Sequence, residues 1–244
     1  MYQKIYPFGE HVFGENLGEI WLGMVRAILQ EGTYSEDEGR KRIALQEMVL
    51  KSHTQEIPDR LILKYGNKQN LDNLLKLTFD EGTMFDFDVN PSFPKGAKSY
   101  HQRIVDGKML EFVVKRLTKY PESKKAVIVF PTYQDYEAVL EAPDADYLPC
   151  LVSVQFRIVV KNGKYVMNTI SNFRSIDAHQ KAYANFWAIA KMTEMVCEEL
   201  TKNLKRDVVP GSFAAMITDA HIYEETETEA RRLVEDSGEE VCKY

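Results

Sequence analysis

The chain has 244 residues, 44% of them hydrophobic, enough for one sizeable core and marginal for two domains. Its formal charge of −6 excludes the strongly basic face of a nucleic-acid or membrane-surface protein, so any anion site is a local pocket. Three cysteines (Cys150, Cys197, Cys242) at no metal-ligand spacing, and no apolar run near the ~18 residues of a membrane span, predict a single cytoplasmic domain over 1–244.

Leu17, Ile20, Trp21, Met24, Val25 and Ile28 recur at helical spacing and predict an amphipathic helix over 17–30, ended near Gly32. Residues 42–50 fit a strand or a short helix, and 69–79 read as a helix. "EGTMFDFDVNPSFPKGAK" (81–98) carries two Pro and two Gly and reads as a long loop. "DGKMLEFVVKRLTKYP" (106–121) reads as one helix with Met109, Phe112, Val113 and Leu117 on one face. "KKAVIVFPT" follows as a buried strand.

Val152, Val154, Phe156, Ile158 and Val160 then alternate with more polar neighbours, and a second extended run, "YVMNTISNF", follows "KNGK". Asn162-Gly163 between two such runs predicts a two-residue hairpin, because both positions accept the positive φ of a type I′ turn. That turn sets a ladder in which Leu151 faces Arg174 and Cys150 faces Ser175, unless a bulge slips it by one residue. A guanidinium beside Cys150 favours the thiolate, the form a nucleophilic sulfur requires. A lone cysteine is more often a buried structural residue, and strand parity puts Cys150 with Val152 and Val154. The neighbouring Arg174, Ser175 and Asp177 weigh the other way. Cys197 flanks the apolar stripe of a helix over 182–200 and reads as structural.

"PESKKAVIVF", "LPCLVSVQF", "NGKYVMNTISNFRSID", "AYANFWAIA", "VVPGSF" and "TDAHIYEE" occur in an order and spacing that resemble thymidylate synthases and their pyrimidine-hydroxymethylase relatives. The resemblance spans roughly residues 100–225. It implies an α+β thymidylate synthase-like fold, a central mixed β-sheet flanked by helices, paired sheet to sheet in a homodimer. It also implies a methyltransferase or hydroxymethyltransferase with a pyrimidine nucleoside monophosphate as substrate, methylenetetrahydrofolate as co-substrate and no metal.

Residue by residue, Cys150 matches the nucleophile that adds to carbon 6 of the pyrimidine, and Tyr100 in "SYHQR" a tyrosine that helps remove the carbon 5 proton. Arg174 and Ser175 match phosphate ligands. Lys124 and Lys125 match an arginine pair that reaches the partner subunit's phosphate, with charge kept and the fork lost. Asp177 matches a pterin-binding carboxylate, although a carboxylate just before a helix also reads as an N-cap. Asn185 matches the amide that reads the pyrimidine edge. His221 and Tyr223, on one face of a strand, match the pair on the sugar hydroxyl. Arg40 or Arg42 is a candidate for a further phosphate arginine.

The sequence departs from the pattern at Leu151, where a histidine usually follows the nucleophile, and at Lys181, usually glycine. The end "SGEEVCKY" lacks the apolar closing tail, and the segment that carries a glutamate is not visible. The expected reaction is dUMP methylation through a covalent Cys150 adduct. The alternative is hydroxymethylation of dUMP, dCMP or CMP, and after it comes a silent nucleotide-binding homologue.

Overall fold

The structure is a computed structural model that describes residues 10–87, 97–141 and 147–238. Helix α1 (Leu17–Glu31) follows a short strand β1 (His11–Gly14). Asn16 caps it, its side chain accepting the Glu19 amide at 3.0 Å while Glu19 reaches back to the Glu15 amide. All six residues of the predicted stripe are buried. Gly32 ends the helix by close approach, since a Cβ there would meet the Ile28 carbonyl oxygen at 2.4 Å.

Strand β2 (Thr33–Asp37) pairs antiparallel with β3 (Arg40–Ser52), which settles the ambiguous 42–50 segment as strand. Helices α2 (Arg60–Tyr65) and α3 (Lys68–Phe79) start on side-chain caps from Asp59 and Asn67. Of the expected loop over 81–98, residues 88–96 lie outside the described residues; of the rest, Thr83 bridges to Lys98. The single helix expected over 106–121 is two: α4 (Tyr100–Asp106) and α5 (Met109–Lys119). Gly107 and Lys108 break it, Lys108 with a left-handed φ of 48°. On α5, Val113 and Leu117 are buried as expected, while Phe112 is exposed.

The strand expected in "KKAVIVFPT" shortens to β4 (Val127–Val129). Among the described residues it lies at the sheet edge, paired with β5 alone; Ile128 is buried and Val129 exposed. Helix α6 (Tyr133–Glu141) follows. Strands β5 (Leu151–Lys161) and β6 (Lys164–Phe173) form the predicted hairpin, with φ of 52° at Asn162 and 76° at Gly163. A two-residue β7 (Ile176–Asp177), the long helix α7 (Ala182–Leu204), β8 (Val208–Tyr223) and α8 (Glu224–Ser237) complete the chain.

The sheet runs β1-β3-β8-β6-β5-β4, with β2 on β3 and β7 on β8. It is mixed: β8 is antiparallel to β3 and parallel to β6. Helices α1 and α7 pack on the face that carries Leu50, Phe156, Phe173, Phe213 and Ile217, all buried. The opposite face presents Val129, Ile170 and Met216 exposed. No helix among the described residues is long and apolar enough to cross a membrane.

Candidate active site

Cys150 enters β5 straight after Pro149 and is partly exposed. The predicted ladder holds from the turn down to Ser153↔Asn172, then slips: Leu151 faces Phe173, not Arg174. The bulge brings the Arg174 amide to the Cys150 carbonyl at 3.0 Å. The predicted neighbour survives, because the Cys150 sulfur still lies 3.7 Å from the Ser175 hydroxyl. The Arg174 guanidinium donates to the Leu148 carbonyl at 2.7 Å and, more loosely, to that of Pro149. Its charge therefore sits on the peptide groups that lead into the cysteine. Leu151 turns the other way into the core.

Two phenols stand beside the sulfur. The Tyr100 hydroxyl accepts the Leu151 amide at 3.1 Å, and its ring packs edge-on against Phe130 at 5.2 Å. Burial raises this phenol, the charge of Cys150 raises it further, and Arg174 and Arg103 oppose. Tyr147 is also buried and is likewise raised by burial first, then by Tyr100 and Cys150. Tyr147 was not singled out in the sequence, although a phenol three residues before Cys150 was a usable signal. A cavity of about 630 Å³ lined by Arg103, Phe130, Asp135 and Tyr147 borders the second phenol; Cys150 does not line it.

Strand β7 lays Asp177 opposite His221 of β8. The Asp177 carboxylate accepts the amides of His179 and Gln180 through Oδ1, at 3.1 and 3.0 Å. It thus caps the turn before α7 and not the helix itself, whose N-cap is Lys181, and its Oδ2 carries no hydrogen bond among the described residues. Asn185, buried one turn into α7, donates from Nδ2 to the Lys181 carbonyl at 2.9 Å. His221 and Tyr223 share a face, their rings 4.7 Å apart. Burial pushes the Tyr223 phenol up to about 12; Arg40 opposes, while Asp177 and Cys150 add to it.

Three candidate residues are not assembled with Cys150. Lys124 and Lys125 are exposed, and the β4–β5 register of Val127↔Gln155 points them away from it. At about 3.3 Å per strand residue they lie roughly 20–25 Å off along the sheet. Arg42 is also committed elsewhere, bound by both nitrogens to Asp219 at 2.5 and 3.2 Å. Arg40 instead lies over the Tyr223 ring, 3.4 Å from its centroid, and ion-pairs with Glu225 at 3.6 Å. Cys197 is buried in α7, and burial pushes its thiol up to about 12. Among the described residues no group of three His, Cys, Asp or Glu side chains is arranged to hold a metal ion.

Residues 88–243 match the family model described as thymidylate synthase. Among solved structures the chain is similar to the thermostable thymidylate synthase A from Bacillus subtilis, with a TM-score of 0.62 and 12% identity. That match covers 90% of this chain and 84% of the other, and at this identity it speaks for the fold. No curated protein matches the chain.

Proposed function

The chain belongs to the thymidylate synthase family of folate-dependent transferases acting on carbon 5 of a pyrimidine, and from that premise we propose that it methylates dUMP through a covalent Cys150 adduct. The observation that carries this reading is the partly exposed Cys150 sulfur, set beside Ser175 and Tyr100 with the Arg174 charge at its back.

The Cys150 thiolate adds to carbon 6, and the electron pair displaced onto carbon 5 makes that carbon the nucleophile. Methylenetetrahydrofolate supplies the one-carbon unit and, in methylation, the hydride. Loss of the carbon 5 proton releases the one-carbon unit from the folate nitrogen as an exocyclic methylene on the ring, and hydride adds to that carbon as the sulfur leaves carbon 6, which restores the ring. We assign Tyr100 to the carbon 5 proton, acting through water: its oxygen accepts the Leu151 amide, so its own hydrogen is directed elsewhere. Arg174 and Ser175 hold the phosphate, with Arg40 as an added cation at the Tyr223 end. The free Oδ2 of Asp177 suits the N–H groups of a pterin.

Asn185 favours uracil. One Nδ2 hydrogen goes to the Lys181 carbonyl, which orients the amide and leaves the side-chain oxygen as an acceptor for the N3–H that uracil has and neutral cytosine lacks. His221 and Tyr223 meet the sugar hydroxyl. The exposed sheet face with Val129, Ile170 and Met216 pairs with a second copy, and Lys124 and Lys125 serve the partner's phosphate, a role that suits their distance from Cys150 in their own chain. Hydroxymethylation is the second reading, favoured by Leu151, which turns into the core where the family pattern places a water-ordering histidine.

The test incubates the protein with methylenetetrahydrofolate and carbon 5-tritiated dUMP, dCMP or CMP. Release of tritium from dUMP, dihydrofolate absorbance and a methylated product are expected, all abolished by Cys150→Ala. A hydroxymethyl product without dihydrofolate transfers the assignment to the second reading. No release from any of the three nucleotides overturns both.

A further inference from the structure

The site reading leaves Asp219 unused, although it is the most heavily engaged carboxylate near the proposed sugar pocket. It lies two residues before His221 on β8, on the same strand face, and its Oδ1 is 3.1 Å from the His221 Nδ1. The same carboxylate is clamped from β3 by both terminal nitrogens of Arg42. Arg42 is opposite Tyr223 in the β3–β8 ladder, so its guanidinium runs back along the strand to reach Asp219. Asp37 on β2 stands 3.7 Å from the same guanidinium. Asp177 on β7 lies opposite His221 across the ladder, and Arg40 lies over the Tyr223 ring that packs on His221.

Burial alone raises the Asp219 carboxyl; the hydrogen bond from His221 and the charge and hydrogen bonds of Arg42 outweigh it and hold it below its ordinary range. An ionised carboxylate only accepts hydrogen bonds, so the ring nitrogen facing it is the one that carries hydrogen. In a neutral imidazole the other nitrogen is then an acceptor. Nothing among the described residues bonds to His221 Nε2.

We propose that Asp219, held in place by Arg42, is a positioning residue that fixes His221 as its Nδ1–H tautomer, so that Nε2 accepts a hydrogen bond from a substrate hydroxyl. The inference rests on the nucleotide reading above and sharpens it. The group at this point of the pocket must be a donor, which a sugar hydroxyl is and a phosphate or carbonyl oxygen is not. In dUMP the only free sugar hydroxyl is at carbon 3′, so the device selects nucleotides that keep it.

Long-range proton–nitrogen correlation spectra of the ¹⁵N-histidine-labelled wild-type protein, with His221 assigned by its loss in His221→Gln, read the tautomer directly. Hydrogen on Nδ1 is expected, and hydrogen on Nε2 overturns the proposal. In parallel, KM and kcat are measured for dUMP and its 3′-deoxy analogue. The wild-type protein is expected to favour dUMP by about 10- to 100-fold in KM, and Asp219→Asn to lose that preference with a much smaller change in kcat. A variant that keeps the preference refutes the positioning role. The tautomer is read on the free wild-type protein, so it decides the matter even where Asp219→Asn does not fold. Failure of every nucleotide to release tritium is a separate result, which defeats the enzyme reading alone.

Discussion

Arg103 ties the Tyr100 helix to the strand next to Cys150, and its removal has a calculable cost. Its side chain, 5% exposed, donates to the Lys98 carbonyl at 3.2 Å and the Phe130 carbonyl at 3.0 Å, and by two parallel bonds to Asp135 at 2.8 and 2.7 Å. Asp135 in turn accepts the Thr132 amide and hydroxyl at the start of α6. Arg103→Met keeps most of the volume but leaves a mostly buried carboxylate and two carbonyls without their partner. Breaking a buried pair from one side costs about 3–5 kcal/mol, a large part of the ~5–15 kcal/mol that holds a domain folded. With a urea m-value of about 3 kcal/mol/M, the unfolding midpoint at fixed protein concentration falls by about 1–1.7 M. Arg103→Met with Asp135→Leu removes the stranded charge and recovers part of that loss. A single-variant shift under about 0.3 M, or a double variant less stable than the single, refutes the clamp.

Alkylation of the native protein at pH 8 is expected to modify Cys150 well before Cys197, whose thiol is buried and pushed up to about 12; peptide mass mapping that finds equal labelling refutes the assignment. Gly163→Val puts a branched side chain at a φ of 76° and should cost about 1–2 kcal/mol, read as a Tm fall of roughly 2–8 °C; an unchanged Tm counts against the turn. The Asp135 and Asp219 carboxyls are held below their ordinary range, so the stability they contribute is full above about pH 4 and lost as pH falls through the lower folded values. Asp135→Asn should therefore lose less stability between pH 5 and pH 2 than the wild-type protein, in acid titrations followed by circular dichroism.

What the sequence disclosed was what short-range chemistry decides. Asn162-Gly163 announces its turn because only a few residue types accept positive φ, and the stripe on α1 announces its buried face by spacing alone. A one-residue slip could be allowed for but not located, since it is set by how Cys150 and Arg174 meet across the ladder and not by either residue's own preference. β4 was overread because an apolar run looks the same in a central strand and at an edge; only the neighbouring strand order tells them apart. The split between α4 and α5 was written in Gly107 but masked by the apolar period running through it. Arg103 and Asp135, 32 residues apart, share no local pattern, so nothing short of the fold could pair them.

Leu151 shows how a missing family residue can be a packing fact before it is a catalytic one. The position after the proposed nucleophile, where the resemblance implies histidine, here has a side chain 3% exposed that belongs to the main core, while its amide is held by Tyr100. The bulge explains this: the register slip between Leu151 and Ser153 reverses the strand alternation, so Leu151 joins the core face of Val154 and Phe156. Restoring the family residue as Leu151→His would bury an imidazole among apolar neighbours, at a cost of about 1–3 kcal/mol where its nitrogens find no partner. The variant should melt several degrees lower and release tritium from dUMP no faster than the wild-type protein. A tenfold faster release at unchanged Tm would mean that the position faces the cleft, and that the water-ordering role was lost by substitution alone.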